Sequence, residues 1–248
     1  MRHNTKSPQF RRDKRQTCVY CGELTICTED HVIPECLWPE KQRPTRTEYV
    51  LVPACKRCNG RKGLEDEYMR DVLSADIACD GNPIAMQIQA NFFRAHAKNK
   101  SVFGRVAART HRFDPVFSPG NIYLGHHPSV PIEWKRIEKF LRFVVRGLYW
   151  KLLKSRIPND YEIEVFRIPS HHFDEQYRRQ MGLGAIGPHG IKDGVFGSIM
   201  NIAKEDPFTT CWLMWFYEGV VFGAATLRSG AMEHYKRSII VPQPDPIW

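Results

Sequence analysis

Residues 18–63 read CVYCGELTICTEDHVIPECLWPEKQRPTRTEYVLVPACKRCNGRKG, in which two Cys-x-x-Cys pairs, Cys18–Cys21 and Cys55–Cys58, bracket a short acidic segment with one histidine. Two thiolates separated by two residues reach one ion from a single tight turn, and two such turns complete a tetrahedron around Zn²⁺. Gly22, directly after the first pair, suits such a turn. Four thiolates leave no open position for a substrate, so the expected zinc is structural. The N-terminal stretch MRHNTKSPQFRRDKRQ is basic and lacks the apolar core of a secretory leader, so the paired cysteines read as metal ligands rather than disulfides. Cys27, Cys36, Cys79 and Cys211 are scattered and read as small buried hydrophobes.

Upstream, residues 1–16 carry six Lys or Arg against Asp13 and are expected to form a basic flexible arm. Downstream, Gly63–Asp80 has early acids followed by Tyr68, Met69, Val72 and Leu73 at helical spacing, which predicts a helix leaving the first module. Residues 83–112 predict one or two more helices. From Gly81 to Phe113 there are six Lys or Arg and no acid, interleaved with Phe92, Phe93 and Phe103, a pattern that suits a surface facing nucleic acid. The Pro- and Gly-rich residues 114–131 read as a loop. The period returns strongly over Ile132–Ser155, where Ile137, Phe140, Leu141, Val144, Val145, Leu148 and Leu152 mark a buried stripe. Lys135, Lys139, Arg142 and Arg146 share another face, read as solvated.

After Pro158 the period shortens. Tyr161–Ile168, Val195–Ala203, Cys211–Tyr217 and Val220–Leu227 read as strands, with Glu218-Gly219 where a hairpin turn is wanted and a short helix over His171–Met181. The expected fold is α+β. Residues 17–80 form a zinc-stapled module, and residues 81–248 an accessory domain whose antiparallel sheet packs on the long helix.

The 248 residues carry 36 Lys or Arg and 27 Asp or Glu, a formal net charge of +9. That excess favours a polyanionic partner, nucleic acid before a membrane surface. No run approaches the length of a membrane-spanning helix. A cytoplasmic location is expected.

Between the cysteine pairs stands Thr28-Glu29-Asp30-His31-Val32-Ile33-Pro34, and the second pair runs on into Asn59-Gly60-Arg61-Lys62-Gly63. The order CVYC, EDHVIP, PACKRCNGRK resembles the zinc-bearing branch of the HNH endonuclease family over residues 18–63. The resemblance implies a two-stranded hairpin followed by a helix, with a divalent cation such as Mg²⁺ held between them. It implies His31 as the general base that activates water, and Asp30 and Asn59 as ligands holding the cation against a scissile phosphate, with DNA as substrate. A neutral imidazole takes a proton from water near neutral pH, and a hard cation bridges phosphate oxygens. Arg57, Arg61 and Lys62 at the helix start are expected to contact phosphate.

Adjacent residues on a strand point to opposite sides, so Asp30 and His31 can serve one site only if the strand bends or bulges there. The family places an Asn shortly before the second cysteine pair, where this chain has Val50. Valine cannot pin the loop by side-chain hydrogen bonds, so backbone, Tyr49 or Glu48 must do so. Read alone, His31 also fits a structural histidine or a further zinc ligand, Asp30 a turn cap, Asn59 a helix cap, and Glu29 a substitute for Asp30. Rival functions are a catalytically inactive fold that binds nucleic acid, and an interaction module stapled by zinc. The accessory domain would supply substrate contacts, a partner protein's docking site or a homo-oligomer interface.

Overall fold

In the computed structural model, which describes residues 15–97, 112–117, 121–129, 131–169, 186–191 and 194–231, strand β1 (Arg15–Thr17) pairs antiparallel with β2 (Leu24–His31) and β2 with β3 (Leu51–Cys55). β3 runs without a linker into helix α1 (Lys56–Ser74). The basic arm therefore gives up its last two residues, since Arg15 and Gln16 pair with Ile26 and Thr25. Residues 1–14, residues 98–111 and the short helix expected over His171–Met181 lie outside the described residues.

Helix α1 starts earlier than its apolar periodicity indicates. The Cys55 thiol caps it by accepting from the Cys58 backbone N–H at 3.4 Å. It also ends earlier, and a separate 3₁₀ turn, Ile77–Cys79, follows under an Asp76 side-chain cap. Helix α2 (Pro83–Ala97) opens on Asn82, whose Oδ1 accepts from Ile84 and Ala85 N–H while its Nδ2 donates to Tyr217 O.

The expected loop over 114–131 is a hairpin instead. β4 (Arg112–Phe117) pairs with β5 (Tyr123–Ser129), with a bulge at Val116/Phe117. Pro115 and Pro128 hid it, yet in a two-stranded ribbon each strand has a free edge, where a residue without an N–H costs nothing.

Helix α3 (Trp134–Leu153) buries Ile137, Phe140, Leu141, Val144, Val145 and Leu148, the predicted stripe apart from Leu152, which is half-buried. It stops at Lys154, in the left-handed region at φ 53°. Strands β6 (Tyr161–Ile168), β7 (Ile186–Ile191), β8 (Phe196–Ile202), β9 (Thr210–Phe216) and β10 (Val220–Arg228) form one antiparallel sheet in the order β6-β10-β9-β8-β7. The β9–β10 turn centres on Tyr217 and Glu218, at φ 50° and 61°, one residue before the expected Glu218-Gly219. Positive φ at both positions is the I′ geometry that matches strand twist. Gly219 is required for contact rather than conformation, since a Cβ there would lie 1.7 Å from Ala78 O.

Helix α3 lies between the two sheets. One side meets β9 and β10 through Phe140–Phe216 (6.1 Å) and Trp134–Phe222 (6.4 Å). The other meets the cysteine-bearing module through Phe143–Tyr20 at 4.8 Å. A single buried cluster runs through both. Residue 80 thus marks a change of architecture, not a break in the core. Among the described residues, no helix is long and apolar enough to cross a membrane.

Candidate functional site

Cys18 and Cys21 occupy the turn joining β1 to β2. The turn closes by Gly22 N–H to Cys18 O (2.9 Å) and Cys18 N–H to Glu23 O (2.9 Å), with Gly22 at φ 80°. Cys55 ends β3 and Cys58 lies in the first turn of α1. The four Sγ atoms all lie within 4.8 Å of one another, and Cys21 and Cys55 are 3.8 Å apart. A tetrahedron with metal–sulfur bonds of about 2.3 Å has edges of about 3.8 Å, so the donor set fits a thiophilic ion such as zinc. Cys18, Cys55 and Cys58 are buried, and the backbone N–H of Cys55 donates to Cys18 Sγ at 3.3 Å. Burial and the neighbouring thiols push the Cys58 thiol far up, a penalty that a bound cation reverses.

His31 closes β2. The register Cys27–His31 against Leu51–Cys55 is continuous, so the bend that would bring Asp30 and His31 to one site is absent. They face opposite sides of the strand. The His31 ring packs edge-on against Tyr49 (4.6 Å), and its Nε2 lies 3.3 Å from Glu35 Oε1. Burial lowers its pKa, with Glu35 and then Asp30 opposing. It opens on a pocket of about 300 Å³ lined by Glu29, Glu35, Pro44, Arg46, Tyr49 and Leu51. Arg46 pairs with Glu29 at 2.5 Å and Arg43 approaches Glu35 at 4.0 Å. The loop that the missing Asn leaves unpinned is held by the backbone, Val32 N–H donating to Val50 O at 2.9 Å, and by the Tyr49 ring.

Asp30 points inward. Tyr20 OH donates to its Oδ2, and the Lys62 ammonium lies 3.7 Å from the same atom. Burial raises the Asp30 pKa against the pull of Lys62 and Tyr20. Lys62 does not stand at the surface touching phosphate, as its place at the helix start implies from sequence: its side chain is 0% exposed. Its Nζ donates to His31 O at 2.7 Å and to Asp66 Oδ2 and Oδ1 at 2.9 and 3.1 Å. Its apolar stem and three donors are all used inside, so it is an internal counter-ion. Asn59 is half-buried and donates from Nδ2 to Thr28 Oγ1 at 3.1 Å. Asp30 and Asn59 as arranged do not make a cation site, because the Asp30 carboxylate is already satisfied by a hydroxyl and an ammonium. Arg57 and Arg61 are exposed, Arg57 pairing with Glu23 at 2.7 Å.

The sequence did not point to Glu35 and Arg46 around His31, or to Tyr20 and Asp66 around Lys62, and it offered Tyr49 only as a support for the loop. Glu35, four residues after His31, and Asp66, four after Lys62, stand at a spacing that could have flagged them. Tyr49 and Arg46 reach His31 only through the path of the 35–50 loop.

No family model matches the chain, and no solved structure matches it. Among curated proteins it is similar to Septu protein PtuB of Bacillus thuringiensis, 31% identical over 74 residues, 28% of this chain. The match spans 28% of that protein's length.

Proposed function

We propose that this chain is an HNH-type endonuclease that hydrolyses phosphodiester bonds of nucleic acid, DNA before RNA, with His31 as general base. What carries the reading is the placement of His31: a part-exposed imidazole at the rim of a pocket, braced by Glu35 and Tyr49, with burial lowering its pKa. With Nε2–H turned to Glu35, Nδ1 is left to accept. Water gives up a proton to Nδ1 as its oxygen attacks phosphorus, the P–O bond to the leaving oxygen breaks, that oxygen takes a proton from solvent, and the Glu35 carboxylate stabilises the imidazolium that forms until it returns its proton to water. The antiparallel pair β2–β3 leading directly into α1, with the four cysteines at the junction, supports the resemblance that the motif order suggests. Zinc on Cys18, Cys21, Cys55 and Cys58 would be closed to substrate, and it supplies folding energy to the hairpin that presents His31. Exposed Arg57 and Arg61 are suited to the phosphate backbone.

A divalent cation beside Asp30 would require Lys62 to leave. This observation favours a second reading, a nucleic-acid-binding module without cleavage. Supercoiled plasmid incubated with wild type and His31→Ala, each in Mg²⁺, Mn²⁺ or EDTA, separates the two. Nicking or linearisation that vanishes in the variant supports the nuclease. Salt-dependent binding by both proteins with no cleavage supports the second reading.

A further inference from the structure

The alternation of β2 divides its last four residues between two surfaces. Thr28 and Asp30 face α1, where Asn59 Nδ2 donates to Thr28 Oγ1 and Lys62 Nζ lies 3.7 Å from Asp30 Oδ2. Glu29 and His31 face the other way, opposite Pro53 and Leu51 of β3. The pocket into which His31 opens therefore lies on the surface that α1 does not cover. Arg57 and Arg61 start from α1, on the other side of the sheet, and Arg57 is drawn to Glu23.

Two carboxylates, Glu29 and Glu35, line the His31 pocket, and both repel a phosphodiester. Among the described residues that line it, Arg46 is the one lysine or arginine. Arg43 approaches Glu35 at 4.0 Å but does not line the pocket. The Arg46 side chain is 72% exposed, and one contact anchors it: Nη2 donates to Glu29 Oε2 at 2.5 Å. Glu29 stands two residues before His31 on the same surface, so this bond fixes the guanidinium at the imidazole's pocket. The pair also offsets the Glu29 charge that a phosphate would meet. A guanidinium carries its N–H donors in a planar fork that matches phosphate oxygens, and the part of the fork not held by Glu29 is open to solvent.

We propose that Arg46 is the phosphate-binding residue of the His31 site. Its open donors take the non-bridging oxygens of the scissile phosphodiester while Glu29 holds its other edge, and it stabilises the charge that grows on those oxygens as water attacks. The proposal rests on the nuclease reading for the reaction it assists; its binding half, a phosphate held beside His31, stands without that reading.

The test uses the full zinc-loaded chain, as wild type, Arg46→Ala, Arg46→Lys and Lys41→Ala. Lys41 is an exposed cation of the same loop that does not line the pocket, so its variant matches the change in net charge. Single-turnover cleavage of plasmid is expected to slow about 10²–10³-fold in Arg46→Ala, the usual cost of losing one placed donor to a developing oxyanion. Arg46→Lys keeps the charge without the fork and should fall between the two, and Lys41→Ala should match wild type. In a second arm, the His31 ring signals are followed by NMR during titration with inorganic phosphate, against chloride at equal ionic strength. Phosphate should shift them in wild type and not in Arg46→Ala. A wild-type cleavage rate in Arg46→Ala, or equal losses in Arg46→Ala and Lys41→Ala, overturns the proposal and leaves the nuclease reading standing. A wild type that does not cleave removes the nuclease reading. The phosphate titration then decides the binding half, and equal shifts in wild type and Arg46→Ala, or none in either, overturn it.

Discussion

Replacing Lys62 by methionine keeps the length of the side chain and removes its charge. In the wild type the ammonium is fully buried, satisfies His31 O and Asp66, and lies 3.7 Å from Asp30. The variant leaves a buried carboxyl, Asp30, and a half-buried one, Asp66, without their cation and one carbonyl without its donor. Removing one partner of a buried charge arrangement costs about 3–5 kcal/mol. For a chain of this size about 2–4 °C is lost per kcal/mol, so the midpoint should fall by about 6–20 °C. The loss must also depend on pH. Burial already holds Asp66 at about 6, against an ordinary 3.8, and raises Asp30. A carboxyl raised in the folded state binds more protons folded than unfolded, so its contribution improves as pH falls from its folded pKa towards 3.8. Without Lys62 both carboxyls rise further. The deficit is therefore largest above neutral pH and shrinks as pH drops through 6. Calorimetry of both proteins at about pH 7.5 and about pH 5 measures this. A loss of about 0.5 kcal/mol, the size of an ordinary surface change, and equal at both pH values, would refute the internal counter-ion.

Four further expectations follow from other contacts. Elemental analysis should find one thiophilic ion per chain, and Cys58→Ala should hold none and lose the protection of β2 and β3 in hydrogen exchange. Gly147→Ala should gain about 1 kcal/mol of helix propensity, but Val32 leaves no room for the methyl, so a net loss of about 1–3 kcal/mol is expected; pairing it with Val32→Ala in a double-mutant cycle should recover part of that loss. In a cleavage assay, Glu35→Gln should slow the reaction and move the acid limb of the pH profile down, because Glu35 holds the His31 pKa up against burial. Arg57→Ala and Arg61→Ala should weaken DNA binding, each reducing the salt slope by about one, as measured by fluorescence anisotropy across a salt series.

The parts legible in the sequence are those whose physics is local. Two Cys-x-x-Cys pairs fix the donor atoms within one turn each, and the structure gathers all four thiols. The α3 stripe and strand β6 were readable because period and burial agree along each segment. The interior of the site was not legible. Lys62 stands in Arg61-Lys62-Gly63 among solvated neighbours, and only the packing of α1 on β2 takes it inside to meet Asp66 and the His31 carbonyl. The alternation of β2 could be read as placing Asp30 and His31 on opposite sides, but not which side α1 would cover. The β4–β5 hairpin escaped because its prolines are allowed on free edges.

In the function proposed above, His31 is the proton acceptor for phosphodiester hydrolysis. The most direct test is chemical rescue: plasmid cleavage by wild type and by zinc-loaded His31→Gly, with and without added imidazole. Wild type is expected to cleave, His31→Gly is not, and imidazole is expected to restore cleavage in proportion to its neutral form. Cleavage by His31→Gly without imidazole, or a folded wild type that binds DNA and leaves it intact under every divalent cation tried, would contradict it.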